Sequence, residues 1–350
     1  MSIPLLAPHA HIAWRDATNL ILEDPAAPHT QVHVANATPS VMRWLRSCNG
    51  TRTLTQVLAS AAGHGLEADT ARDLLDVLVE VGLMTLDAPD RRLAADWGIE
   101  SKSPLHHDLE ALALCGRDAN RALESRQQHR IIIEGANRVA HALVEVLAAA
   151  HVGSIAVRGQ HITRRLVTLR DVGAFGPTRD DVGLPPSLAM RRHIDRVLVR
   201  RSGQPRRPLV VLCDAHGDPG DEMAFQTAGV PYLRILATSR FATIGPLTLP
   251  GHTVCWSCIA LHRSDVDPHW PHLLAQFDQH RRGMAPIDST FAMWVASEAA
   301  SRLLQVIDTD DPTSLVNTTL HIDRAEPTIR RRHWRVHPDC QCQWRGGLTA

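Results

Sequence analysis

Lysine is almost missing from this chain: Lys102 is the single one among 37 basic residues. A lysine-dependent phosphate grip, Schiff base or general base would have to use it. It lies in Glu100-Ser101-Lys102-Ser103-Pro104, which reads as a connecting segment, so lysine chemistry is close to excluded. Net charge is missing too, because 37 basic residues balance 37 acidic ones. No global field draws the protein to nucleic acid or to anionic lipid. No apolar run approaches the roughly 18 residues of a membrane span. Met1-Ser2-Ile3-Pro4 has neither the basic start nor the apolar core of a secretion signal. Together these absences predict a soluble, cytoplasmic protein with no membrane partner. Seven cysteines, an odd number, suit a reducing compartment. There is no G-x-S-x-G, no Cys–His pair in a motif and no carboxylate pair that spacing justifies, so no catalytic residue is assigned.

What the chain does have is two tight cysteine pairs, Cys255-Trp-Ser-Cys258 and, far downstream, Cys340-Gln-Cys342. Zn²⁺ prefers tetrahedral sulfur, and each pair bends the backbone so that two thiolates face one ion. The spacing predicts one structural zinc stapling the C-terminal arm to the body of a domain. A thioredoxin-like redox pair is the alternative, but that motif opens a helix early in its fold, and here Pro250-Gly251 precedes the first pair like a turn. Cys48, Cys115 and Cys213 stand among apolar neighbours and are expected to be buried and inert. His262, His269, His272 and His280 cluster in sequence, but Pro268 and Pro271 break any regular spacing. His262-Arg263 beside Asp265 and Asp267 reads instead as a hydrogen-bonded turn supporting the cysteine loop.

With 350 residues, the chain is long enough for about two domains. Residues 1–88 read as a small unit. Strands are predicted at His11–Asp16, Asn19–Glu23 and Thr30–Ala35. Helices are predicted from Thr38-Pro39 to about Cys48, from Thr53 to about Gly63 and from Glu67 to Val81. In the third strand Val32 and Val34 point one way, Gln31 and His33 the other. The third helix presents Ala71, Leu74, Leu78 and Val81 as a core stripe. Three strands and three helices suggest a winged-helix-like module, yet its five arginines face nine carboxylates, a net of −4. A DNA reader needs a positive face, so nucleic acid is not expected and a transcription regulator is disfavoured. Residues 89–128 read as a helical linker, with a helix over about Leu105–Ser125.

From residue 129 to 350 the pattern is α/β. Ile131-Ile132-Ile133, Val152–Val157, Pro208–Cys213 and Val230–Leu236 are strand candidates. A helix follows Gly135-Ala136-Asn137-Arg138 and runs to about Ala150. Strand, glycine turn, helix, strand is the plan of a mononucleotide-binding unit. Its phosphate loop should read G-x-G-x-x-G. Here Gly135 is followed by Asn137 at the second glycine and Ala140 at the third, and Arg158 stands where an acidic ribose ligand belongs. Gly135, Asn137, Arg138 and Arg158 therefore mark a vestigial nucleotide pocket.

A Rossmann-like unit with Cys255-x-x-Cys258 and the late pair Cys340, Cys342 resembles the ThiF/MoeB superfamily, relatives of ubiquitin-activating enzymes. Asp181-Val182-Gly183 before a helix at Ser187–Val199 is similar to that family's D-[IV]-G-x-x-K, with Pro186 at the lysine that contacts ATP phosphates. Val211–His216 corresponds only loosely to its strand and T-D-N turn. Leu249–Cys258 fits the run-in to the first zinc pair. More narrowly, Gly245-Pro246-Leu247, the first cysteine pair and Leu261–Pro271 resemble ThiF-like partner proteins of azole-forming peptide biosynthesis. In these a PqqD-like winged-helix recognition element precedes a degenerate ThiF-like domain.

The resemblance implies an α/β protein, with an N-terminal winged-helix-like module followed by a degenerate Rossmann-like ThiF domain holding a structural zinc. It implies a noncatalytic partner that binds a precursor leader peptide and presents it to a separate YcaO-type cyclodehydratase, which holds the ATP. ATP binding by this chain is not expected, and a homodimer is possible. The peptide site is placed in residues 1–88, between the third strand and third helix, at Gln31, His33, Val34, Arg72, Leu75 and Val79. Leu75 and Val79 have an alternative reading as core, and Arg72 as a solvated charge. The competing function is an active ATP-dependent adenylyltransferase acting on a carrier-protein or peptide C-terminus.

Overall fold

Alternating apolar residues build the first sheet. Leu20 and Leu22 on one strand and Val32 on the next point inward and are buried. The computed structural model describes residues 2–89, 104–158, 166–197, 207–213, 219–280, 286–326 and 328–343. Lys102 and its neighbours, Gly159 and Asp214–His216 lie outside the described residues. Two compact units result, Met1–Leu123 and Glu124–Ala350.

In the first unit, β2 (His11–Trp14), β3 (Leu20–Asp24) and β4 (Ala27–Val34) form an antiparallel sheet in that order. A second sheet, β1 (Leu5–Leu6) with β5 (Met84–Thr85), was not predicted, because two-residue strands carry no readable period. Helix α1 (Pro39–Arg46) starts where Thr38 accepts from the Val41 amide, with proline in its first turn. Helix α2 (Leu54–Ala61) starts at a reciprocal box between Thr53 and Gln56. Trp44 is fully buried between them, its indole N–H donating to the Val57 carbonyl at 3.0 Å.

Helix α3 (Ala68–Glu80) differs in rotation from its predicted stripe. Ala71, Leu75 and Leu78 are buried, while Leu74 and Val81 are half-buried on the flank. The three- and four-residue steps of a helix allow either choice on one leucine pair, and packing took Leu75. The linker helix is two helices, α4 (Pro104–Leu114) and α5 (Ala119–Gln128). Gly116 adopts φ +72° between them, and the Asp118 carboxylate accepts from the Arg121 amide to restart the helix. Cys115 sits in this turn and is exposed, against the expectation of burial.

The second unit is built on a seven-stranded mixed sheet in the order β12-β11-β10-β9-β8-β6-β7. Strands β6 (His129–Glu134), β7 (Ser154–Arg158), β8 (Arg207–Leu212) and β9 (Tyr232–Ala237) are parallel. Antiparallel β10 (Phe241–Thr248), β11 (Thr318–Asp323) and β12 (Thr328–His333) extend it. The helices are α6 (Arg138–Ala149), α7 (Pro186–Val197), α8 (Pro219–Ala228), α9 (Trp256–Val266), α10 (Trp270–His280) and α11 (Ser289–Thr309). Ala292, Ala296, Ala299 and Ala300 of α11 share one core with Val139, Leu143 and Leu147 of α6, beneath Ile131, Ile133 and Val211 of the sheet. The chain is thus a mixed α/β protein. Among the described residues no helix is long and apolar enough to cross a membrane.

Candidate functional site

The four predicted metal ligands come together. Cys255 and Cys258 lie 3.8 Å apart, Cys255 and Cys340 3.7 Å, and Cys258 and Cys342 3.4 Å, measured between sulfurs. These are too long for S–S bonds, which are about 2.05 Å. They match the sulfur separation of about 3.8 Å that a tetrahedral ion with Zn–S bonds of about 2.3 Å imposes. The donor set therefore fits a structural zinc. Hydrogen bonding to Cys258 and Cys342, with burial added, pushes the Cys255 thiol up. Hydrogen bonding to Cys255 and Cys342 pulls Cys258 down. The sulfurs alone must share protons, whereas a divalent cation lets all four ionise.

Local chemistry holds the two arms of the cluster. Cys255 caps α9, whose first turn carries Cys258. The approach loop is pinned by the Thr248 hydroxyl donating to the Val254 carbonyl at 3.1 Å and by the Val254 amide donating to Asn317 Oδ1 at 2.8 Å. The second arm is latched onto α9 just before Cys340. His262 Nε2 donates to the Arg335 carbonyl at 2.8 Å, and His337 Nε2 donates to Asp265 Oδ2 at 3.0 Å. His337 Nδ1 accepts the Asp339 amide, so its proton sits on Nε2. His262, Asp265 and His337 are close enough to form a potential metal group, but both rings spend a nitrogen on the latch. His262 and Asp265 do support the cysteine arm, but from the helix α9 and not from the predicted turn, and Arg263 and Asp267 take no part in these two bonds. Their partner, His337, carried no motif that could have revealed it. His269 and His272 are exposed and do not join it.

At the glycine turn, Gly135 is buried with φ +121°. Asn137 is the N-cap of α6, its side-chain oxygen accepting the Ala140 amide at 2.9 Å. Its amide nitrogen donates to the Cys213 carbonyl at the end of β8. A phosphate at a helix N-terminus needs free backbone amides, and Asn137 has taken one and crosslinked the loop. Arg138 donates to Ser289 Oγ at 3.2 Å and to the Arg170 carbonyl at 2.9 Å. Arg158 closes β7 in register with Glu134.

Asp181, noted only for its motif, is buried and accepts from the amide and hydroxyl of Thr178 at 2.8 and 2.9 Å. Against the upward push of burial, these bonds and the Arg196 and Arg192 guanidiniums hold it below the usual carboxylate range. Sequence reasoning missed the pair beside it, His141 and His193, both buried with ring centroids 6.1 Å apart. Among the described residues neither ring nitrogen of His141 has a hydrogen-bond partner. Burial and the neighbouring His193 lower its pKa to about 3.

In the first unit Gln31 and His33 project outward from β4, as predicted, and Gln31 Nε2 donates to Glu23 Oε2 at 2.6 Å. Arg72 and Val79 are exposed on α3, two turns apart. Leu75 is 1% exposed and lies inside the core, and Val34 packs against that core. Leu75 is therefore corrected from a groove residue to a core residue.

No family profile matches the sequence, and no curated protein matches it. The fold does match solved structures. E. coli MccB with ATP superposes with a TM-score of 0.65 at 15% identity, covering 97% of this chain and 99% of that one. The microcin C7 biosynthetic enzyme MccB in complex with N-formylated MccA gives 0.66 at 14%, with the same coverage of 97% and 99%. The heterocyclase TruD gives 0.57 at 15%, covering 98% of this chain and 42% of TruD. At these identities the likeness establishes a shared fold.

Proposed function

We propose that this chain is a peptide-carrying partner in the biosynthesis of a ribosomally made, modified peptide. It binds the leader of a precursor peptide and presents it to a YcaO-type cyclodehydratase. In this reading the first unit is a winged-helix recognition element similar to PqqD. The second is a degenerate ThiF-like Rossmann domain stapled by zinc. The observation that carries the reading is the span of the fold likeness: it runs through both units onto MccB bound to the MccA peptide. Asn137 capping α6 adds to it, since the amide a phosphate would use is already occupied.

The leader would add a strand to a free edge of the β2–β3–β4 sheet, where main-chain bonds supply affinity and side chains supply selectivity. Gln31, His33, Arg72 and Val79 are its candidate contacts. The test is fluorescence polarisation of the full chain with labelled leaders of candidate precursor peptides from the same genome. Submicromolar binding that Val79→Glu or Arg72→Glu weakens supports the reading. Unaltered binding in both variants moves the site elsewhere, and no binding sinks the reading.

A second reading is an ATP-dependent adenylyltransferase acting on a peptide or carrier C-terminus, favoured by the fold shared with MccB solved with ATP. Without a lysine at Pro186, a guanidinium would have to grip the phosphates. Pyrophosphate exchange by the purified chain would place this reading first.

A further inference from the structure

Three arginines on or beside β9, β10 and β12 are paired with carboxylates. Arg234 pairs with Glu222, Arg240 with Asp323 at 3.0 Å and Arg330 with Glu326. Among the described residues, Arg263 and Arg332 form no ion pair. Arg263, half-buried on α9, lies near two indoles, its guanidinium carbon 4.9 Å from the Trp270 ring centroid and 5.8 Å from that of Trp256, which Arg234 also approaches at 4.6 Å. Arg332, exposed on β12, lies 3.9 Å over the ring of Trp334. Trp256 packs against the cluster that holds Trp334, and His262, next to Arg263, stacks 6.2 Å from the Trp334 ring, so the two cations lie on neighbouring indoles. Burial and then the nearby Arg332 lower the Arg263 pKa.

The third basic group beside them, His321, is held by hydrogen bonds to two hydroxyls. Trp334 Nε1 donates to Thr319 Oγ1 at 2.9 Å, and Thr319 Oγ1 shares a second hydrogen bond with His321 Nε2 at 2.9 Å. His321 Nδ1 shares a hydrogen bond with Thr243 Oγ1 at 3.3 Å. Burial, then Arg332 and Arg263, lower the His321 pKa. A stacked guanidinium is held with its ring-facing surfaces covered and its N–H edge free. That edge is the part that binds an oxyanion in a two-pronged fashion.

We propose that Arg263 and Arg332 form an oxyanion-binding notch that takes the carboxylate or phosphate of an organic ligand, with Trp256, Trp270 and Trp334 holding the guanidiniums in place. The notch lies wholly in the second unit and does not depend on the peptide-carrier reading. The test is isothermal titration of the zinc-loaded full chain, at low salt, with inorganic phosphate and with an end-blocked tetraglutamate peptide. At least one probe is expected to bind with a Kd below about 1 mM, and Arg263→Gln or Arg332→Gln to weaken it about tenfold. Binding of phosphate alone identifies a phosphate ester as the ligand class, and binding of the peptide alone a polypeptide carboxylate. Arg335→Gln, an exposed neighbour outside the indole stacks, should leave affinity unchanged. Because Arg332 is exposed, its variant keeps the test valid should Arg263→Gln fold poorly. Failure of both probes to bind, or equal affinity in the Arg263, Arg332 and Arg335 variants, overturns the proposal.

Discussion

The Arg126 guanidinium and the Asp308 carboxylate meet as a buried fork, with Nε–Oδ1 and Nη2–Oδ2 both at 2.7 Å. Each side chain is less than 5% exposed. Arg126 Nη1 also donates to the Ala150 carbonyl at 3.3 Å. The pair joins the end of α5 to the end of α11, just before the chain enters β6.

Breaking that fork leaves a buried charge uncompensated. Asp308→Ala is expected to cost the second unit about 3–5 kcal/mol, and the double variant Arg126→Met/Asp308→Leu much less. Urea unfolding of all three proteins checks this. Equal losses in the single and double variants would show that packing, not charge, dominates.

Removing a cysteine should loosen a region. Cys258→Ser or Cys340→Ser is expected to release about one zinc per chain and to expose the arm around residues 334–343 to protease. Elemental analysis and limited proteolysis read both effects. A native protein without zinc would refute the assignment.

Acid should destabilise the second unit through His141. Its folded pKa is depressed to about 3, while the unfolded chain takes up that proton near pH 6.5. Its contribution is therefore complete above about pH 6.5 and is lost as pH falls toward 3, amounting to about 2 kcal/mol by pH 5. Thermal unfolding from pH 8 to pH 5 should show a shallower decline in His141→Leu than in the parent chain. Parallel curves would contradict the prediction.

Gly176 should resist substitution because of the same ring. A Cβ there would fall 2.3 Å from His141 Nδ1, and φ is already +93°. Gly176→Ala is expected to destabilise by more than 1 kcal/mol. His141→Ala in the same chain should recover part of that loss by opening space, leaving the left-handed strain. A strictly additive double variant would mean that the contact is not limiting.

Asn137→Ala should cost about 1 kcal/mol, the usual value of an N-cap. Chemical denaturation measures it. A neutral result would show that the Ala140 amide finds another partner at once.

Local chemistry determined a great deal of this protein in advance. The Thr38 and Thr53 helix starts, the Val32/Val34 alternation and the strands at Ile131–Ile133 and Pro208–Cys213 follow from caps and periods that act over a few residues. The cysteine pairs were legible for the same reason, since a metal demands a fixed ligand number and spacing. Tertiary structure decided what short-range pattern leaves degenerate. Leu74 and Leu75 both suit a helical core stripe, and only packing against Val57 and Leu78 put Leu75 inside. Cys115 looked like a core thiol until Gly116 turned the chain beside it. The latch between His337 and Asp265 and the Arg126–Asp308 fork join residues far apart in the chain. No local period marks such pairs, because their energy depends on which surfaces the folded sheet and helices bring face to face.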